Sequence, residues 1–337
     1  MILSTLPPDS FFNPVVFFSN SVGDHIMFLP ALRALADIFP NRLTLVLLPN
    51  VYSEFFVNIK VKKIITLESS KFDIINWNLG TQKGDLQNFD FQILANKIGT
   101  TDLFISANIW HSPSLLGLID LLEPRVSIGF HPNYTCYLPV KPIHEFDLYF
   151  LIPQLFLPSI KLTEYSKSPE IENKYLQLAK SLKENMILGG KILIVHSDTK
   201  KKKMWVDERF TSVINSFLNL NPNYLVIIIG LKHSLMLENV TMRDHIEDFC
   251  GLPLGLSFAL IGIADLYLGI DSCMLHIADL LRVPGVGLFG PTNPNKWGFK
   301  YSPHIHIWNK DLDSIESHEV VDSLLKLDSQ LCEDTLL

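Results

Sequence analysis

The chain lacks most of the features by which common function classes show themselves. Its 337 residues include only four cysteines, Cys136, Cys250, Cys273 and Cys332. None stands at the paired spacing of a zinc ligand set or a disulfide framework, which points to a reducing compartment. Positive charge is also scarce. Lys and Arg total 28 against 35 Asp and Glu, a formal net charge of −7, which excludes a generalised nucleic-acid binder. The one basic run, Lys200 to Lys203, reads by itself as a solvated loop. No apolar stretch reaches the ~18 residues that span a bilayer. The nearest, LSFALIGIADLYLGI (256–270), is interrupted by Asp265. The opening MILSTLPPDS has neither the basic start nor the unbroken apolar core of a signal peptide, so the expected location is the cytoplasm. There is no H-E-x-x-H, no P-loop and no G-x-S-x-G. Asp311-Leu312-Asp313 is too short a pattern to count as a metal site, and no metal is expected.

What is present is apolar sequence, 47% of the chain, enough for sizeable cores. A chain this apolar also leaves room for surface patches and peripheral membrane contact. Short apolar runs alternate with helical patterns. Strands are expected at 15–19, 43–48, 101–107 and 126–130, with helices at 24–39 and 112–122. A polar stretch near 161–190 interrupts the rhythm, which then restarts. Strands at 191–197, 224–230, 266–270 and 285–290 alternate with helices at 208–220, 254–264 and 274–282. This βαβ rhythm implies parallel sheets with helices on both faces. The expectation is two doubly wound α/β domains, 1–165 and 186–318. An amphipathic tail helix at about 319–330 is expected to pack back on the first.

Ligands of open α/β sheets sit outside the carboxyl ends of the strands, so those ends carry the argument. In GIDSCMLHIADLLRVPG (269–285), Asp271 and Ser272 end a strand and open a helix. Free N–H groups and the positive end of the helix dipole favour an anion there. The plain alternative is an ordinary N-cap, with His276 as packing. Gly23-Asp24 is the equivalent seam in the first half, where a carboxylate could take a proton or simply cap its helix. VHSDTKKKKMW (195–205) offers the hydroxyls of Ser197 and Thr199 and a lysine, which suit a diphosphate. GVGLFG (285–290) matches G-x-G-x-x-G in form only, because its glycines lie within a strand and prolines follow.

The order of these seams resembles glycosyltransferase family 9, which contains the ADP-heptose:lipopolysaccharide heptosyltransferases. The resemblance rests on Gly23-Asp24, on Pro30-Ala31-Leu32-Arg33-Ala34-Leu35 with Pro40, and on Asp271-Ser272-Cys273-Met274-Leu275-His276-Ile277-Ala278. Pro284 and Phe289 to Pro294 follow in the family's order. His196 to Trp205 matches its His-x-x-Thr segment, with Lys203 two before Trp205. The resemblance implies a GT-B fold: two Rossmann-like domains facing a central cleft, donor in the second, acceptor in the first. The implied reaction is metal-independent, inverting transfer of a heptose or related sugar from a nucleotide diphosphate, with ADP the expected nucleotide and no cofactor. The acceptor would be a hydroxyl of a glycan, glycolipid or other glycoconjugate, with work in the cytoplasm or at the inner membrane. Asp24 would be the base. Thr199, Lys203, Asp271, Ser272, Cys273 and His276 would serve the donor, with Asp271 orienting rather than touching phosphate. Asn108 and His111 would be acceptor contacts, or else an ordinary polar loop. Four positions depart from the family's pattern. Cys273 replaces a Gly, Asp198 stands where Thr is frequent, Phe18 where Arg is common, and Glu238 comes late for a nucleoside-binding Glu. The alternative these favour is a non-catalytic relative that binds nucleotide sugar or glycan on the same scaffold.

Overall fold

The computed structural model describes residues 6–47, 58–66, 91–109, 113–185, 190–231, 235–237 and 240–334. The chain divides into two compact units, residues 1–166 and 167–337. The first is built from β1 (Pro14–Phe18), α1 (Val22–Ile38), β2 (Thr44–Leu47), β3 (Lys63–Thr66), α2 (Phe91–Ile98) and β4 (Leu103–Ser106). It continues with α3 (Pro113–Leu122), β5 (Val126–Gly129), β6 (Cys136–Tyr137), α4 (Glu145–Gln154) and α5 (Leu162–Tyr165). Its strands form one parallel sheet in the order β3-β2-β1-β4-β5-β6.

The second unit opens with α6 (Asn173–Glu184), then β7 (Lys191–His196), α7 (Asp207–Leu220), β8 (Tyr224–Ile229), β9 (Ile246–Asp248) and α8 (Leu254–Gly262). There follow β10 (Leu266–Ile270), α9 (Cys273–Leu280), β11 (Gly285–Phe289), α10 (Pro294–Trp297), β12 (His304–Trp308) and α11 (Ser317–Asp334). Its parallel sheet runs β12-β11-β10-β7-β8-β9. Read from the other edge, this is the winding order of the first unit. Each order reverses once, between β1 and β4 and between β7 and β10, and such a switch point is where an open α/β sheet holds ligand. The strands beside these points, PVVFF, LFIS and LYLGI, are buried along their whole length. That is why they read as unbroken apolar runs.

Two expectations about domain limits are corrected. The second unit begins at 167 rather than 186, because α6 lies in the stretch read as a polar connection. Tyr175 on α6 lies over Gly255 of α8, where a Cβ would come within 2.7 Å of the ring. The tail helix does not serve the first unit. Val320, Val321, Leu324 and Leu327 of α11 are buried in one core with Phe210, Val213 and Phe217 of α7 and Val286 and Leu288 of β11. Asp328 on the same helix accepts from Lys191 Nζ and from the Tyr224 hydroxyl, each at 2.6 Å. The amphipathic pattern fixed which face is apolar, and the unit's own exposed sheet face supplied the partner. Among the described residues no helix is long and apolar enough to cross a membrane.

Leu324 is fully buried. Leu324→Ala is therefore predicted to cost about 2–5 kcal/mol, read as a lower denaturant midpoint. A change under about 0.5 kcal/mol would contradict the docking of α11 in the second core.

Candidate active site

At the second unit's switch point, three loops meet on one carboxylate. Asp271 follows β10, and its side chain is 6% exposed. Its Oδ2 accepts from Lys203 Nζ at 2.6 Å and from Thr292 Oγ1 at 2.6 Å. Lys203 ends the short 3-10 turn Lys201–Lys203 after β7. Thr292 belongs to the loop after β11. A carboxylate this far from water is costly unless paired and hydrogen-bonded, and here it is both. Lys203 and Asp271, named from sequence, are thus brought together. Thr292, within the Phe289 to Pro294 segment, joins them.

Ser272 is the N-cap of α9 by its backbone, with φ −155° and ψ 175°, yet its side chain makes no cap hydrogen bond. Its Oγ is instead hydrogen-bonded to His196 Nδ1 at 3.1 Å. The first amides of α9 therefore have no side-chain acceptor from their own cap, and those of Cys273 and Met274 bond the Cys273 thiol instead. His196 ends β7 and is buried. Burial lowers its pKa to about 4 against a smaller opposing pull from Asp198, so the ring is neutral at pH 7. Ser197, next in the chain, is also buried, and its Oγ completes no hydrogen bond. Thr199 stands half-buried on the same loop. Tyr267 is fully buried two residues before Gly269, and a Cβ on Gly269 would lie 2.3 Å from its hydroxyl. Only glycine permits that approach. The phenol is held well above its usual pKa by burial, with Cys273 adding to the shift and Ser272 opposing it.

The departures from the family pattern have local explanations. Asp198 Oδ2 accepts from Leu231 N at 3.1 Å, tying the end of β7 to the end of β8. The Cys273 thiol is pushed up to about 11 by burial, so it adds no charge at the helix start. Phe18 lies in an aromatic cluster, 4.5 Å from the His25 ring, 4.6 Å from Phe28 and 5.6 Å from Tyr149. An uncompensated arginine in that setting would be costly. Glu238 lies outside the described residues. His276 is 3% exposed on α9.

At the first unit's switch point, Asp24 sits half-buried in the first turn of α1. Its Oδ2 accepts from Ser21 N at 3.1 Å and Ser21 Oγ at 2.6 Å, closing a capping box. The capping alternative for Asp24 is therefore realised. His25, next to it, is fully buried and bonded through Nδ1 to Ser21 O at 2.8 Å; burial lowers its pKa to about 4. Asn108 is corrected as an acceptor contact. It is 1% exposed, its Oδ1 accepts from Ser19 N at 3.1 Å, and its Nδ2 donates to Ser19 Oγ at 3.2 Å. The amide is consumed in tying β4 to β1. His111 lies outside the described residues.

Doubly wound parallel sheets with a lysine beside a helix start at a switch point suit a phosphate-bearing ligand. The sequence profile of glycosyltransferase family 9 (heptosyltransferase) matches residues 153–327, more than half of the chain, and the chain belongs to that family. It is a glycosyltransferase. Among solved structures it is similar to a family 9 glycosyltransferase from Veillonella parvula, with 20% identity, TM-score 0.71, and 94% of this chain and 97% of that one covered. It is also similar to Escherichia coli ADP-heptose lipopolysaccharide heptosyltransferase II, with 13% identity, TM-score 0.63 and 94% and 99% covered. A third is E. coli heptosyltransferase WaaC with ADP, at 15% identity, TM-score 0.62 and 94% and 98% covered. At these identities the likeness establishes the fold, GT-B. No curated protein matches the chain.

His25 and His196 give the fold a pH dependence. Each has a folded pKa near 4, below the unfolded 6.5. Between those values the unfolded chain binds protons that the folded chain refuses, so stability is complete above pH 6.5 and lost as pH falls toward 4. Each ring is predicted to remove about 3 kcal/mol over that window. Urea unfolding at pH 7.5, 5.5 and 4.5 reads this, and a flat profile would contradict the buried neutral rings.

Proposed function

We propose that the protein is an inverting, metal-independent transferase that moves a heptose or related sugar from an ADP-linked donor to a hydroxyl of a glycan or glycolipid. Lipopolysaccharide core is the acceptor this reading favours, with work in the cytoplasm and peripheral contact at the inner membrane. The supporting observation is the second unit's seam, where Lys203 stands by Asp271 and Ser272 leaves the helix start uncapped. The amides of Cys273 to Leu275 and the Lys203 ammonium would take the departing diphosphate, with Thr199 on the same loop. One preorganised donor of this kind contributes about 3 kcal/mol to the transition state. Asp271 orients Lys203 and does not itself touch phosphate.

Asp24 would remove the proton from the acceptor hydroxyl. That oxygen forms its bond to the anomeric carbon from the face opposite the diphosphate. The bond from the anomeric carbon to the diphosphate breaks through an oxocarbenium-like transition state. The positive charge that a metal would supply to the leaving group comes here from Lys203 and the helix start.

A second reading is the non-catalytic relative. The observation behind it is the Asp24 capping box, which gives the carboxylate a structural duty sufficient to explain it. Asp24→Asn separates the two, because the amide oxygen still caps Ser21 but is no base. Transfer from an ADP-heptose donor to a lipopolysaccharide-core acceptor is predicted to fall at least about 100-fold in kcat, with donor KM little moved. Activity unchanged by the substitution would overturn the base. Nucleotide binding without turnover on any acceptor would favour the second reading. Transfer is further expected to persist in excess chelator, and its loss there would remove metal independence.

A further inference from the structure

We infer that Lys201 and Lys202 steer the donor's anionic diphosphate onto the Lys203–Asp271 seam. They reverse a charge balance that the seam's own groups leave negative. The inference rests on the donor site proposed above and gives a duty to the one basic run in the chain.

That run, Lys200 to Lys203, belongs to a chain of formal net charge −7. Such a chain repels an anion at a distance unless a local field reverses the sign. The strand ends at the seam do not supply that field. Asp271 and Lys203 cancel in their ion pair at 2.6 Å. Asp198, on the same loop as the run, adds a carboxylate whose Oδ2 accepts from Leu231 N. One cation therefore stands against two carboxylates until the other lysines are included. Asp207 and Glu208 come later, in the first turn of α7, where a helix start favours negative charge.

The loop presents its lysines in a fixed way. Lys203 N donates to Lys200 O at 2.7 Å and Met204 N to Lys201 O at 3.2 Å, closing the 3-10 turn. Trp205, 2% exposed and edge-on to Phe210 at 5.0 Å, anchors that turn in the core. Lys203 is thereby held part-buried on Asp271, while Lys201 and Lys202 stay exposed. Among the described residues neither of them enters an ion pair. They precede Lys203 by two residues and one, at a rise of about 2 Å per residue in such a turn. That is well inside the ~8 Å over which charges act at physiological salt. Solvated charges at the rim of a site act chiefly on the rate of encounter rather than on the bound complex.

The test is stopped-flow binding of mant-ADP, a fluorescent ADP, at ionic strengths of about 0.01 M and about 1 M. The Lys201→Gln/Lys202→Gln pair is expected to lower kon about fivefold at low salt and to leave koff within about twofold. The difference should vanish at high salt. Asp198→Asn keeps an oxygen for Leu231 N and, added to the pair, is expected to return about half of the lost rate. Lys180→Gln/Lys326→Gln removes the same charge from α6 and α11. These helices reach the opposite ends of the strands, where Lys183 donates to Ile263 O and Asp328 accepts from Lys191. That control is expected to leave kon unchanged. The inference is overturned if the Lys201/Lys202 pair leaves kon unmoved at low salt, or if its loss falls in koff and persists at high salt. It is also overturned if the control slows binding as much, or if Asp198→Asn returns nothing. Calorimetry with unlabelled ADP reads the donor site separately. Wild-type protein that binds no ADP there overturns the donor reading itself, and this inference with it.

Discussion

One carboxylate oxygen organises the second unit's site. Asp271 Oδ2 takes the Lys203 ammonium and the Thr292 hydroxyl, each at 2.6 Å. The three residues come from the loops after β10, β7 and β11, so a single atom fixes the mutual positions of three strand ends. Removing Lys203 would leave a nearly buried carboxylate without its ion-pair partner, and breaking such a pair typically costs about 3–5 kcal/mol. The same pair places a lysine beside a helix start, which is a demand of phosphate chemistry. In the proposed reading structural and functional duties meet in one ion pair, so a Lys203 variant would report on both at once. For that reason Asp24, whose capping duty an asparagine can keep, is the cleaner probe of chemistry.

The two units repeat one winding order and use their switch points differently. In the first, the strand ends are tied by protein groups: Asn108 to Ser19, Ser21 to Asp24, and His25 to Ser21. The polar atoms at that seam are largely spent on one another, with Asp24 half-buried among them. In the second, the N-cap hydroxyl bonds His196 and makes no cap bond, and the first amides of the helix meet the neutral Cys273 thiol. A helix start without an ionic cap suits an anion, and a carboxylate suits a proton. The proposed division of labour between donor and acceptor halves rests on these two local arrangements.

Much of this was legible in the sequence, and the reasons for the remainder are physical. Strands buried on both faces, such as KILIVH and LYLGI, leave unbroken apolar runs and were placed to within a residue or two. Helix α6 was missed because it is polar on average and Ala179 is its one buried residue, so its amphipathic spacing was taken for a connection. Helix α4, EFDLYFLIPQ, was missed for the opposite reason, since it is buried nearly all round and has no polar face. The tail helix showed its apolar face but not its partner, because periodicity says nothing of what lies opposite. Asp271, Ser272 and Lys203 were readable because strand-end chemistry is local. The roles of His196, Thr292 and Tyr267 were not, because each depends on contacts that only the folded sheet creates. Asn108 misled because a polar residue after a strand reads alike whether it faces a ligand or ties two strand ends.

The account stands on the claim that a nucleotide diphosphate rests on the start of α9 beside Lys203. A crystal structure of the ADP complex tests this most directly. The account predicts phosphate oxygens within about 3 Å of the Cys273 or Met274 amide and of Lys203 Nζ. ADP bound elsewhere, with those amides facing only solvent and the Lys203–Asp271 pair untouched, would contradict it.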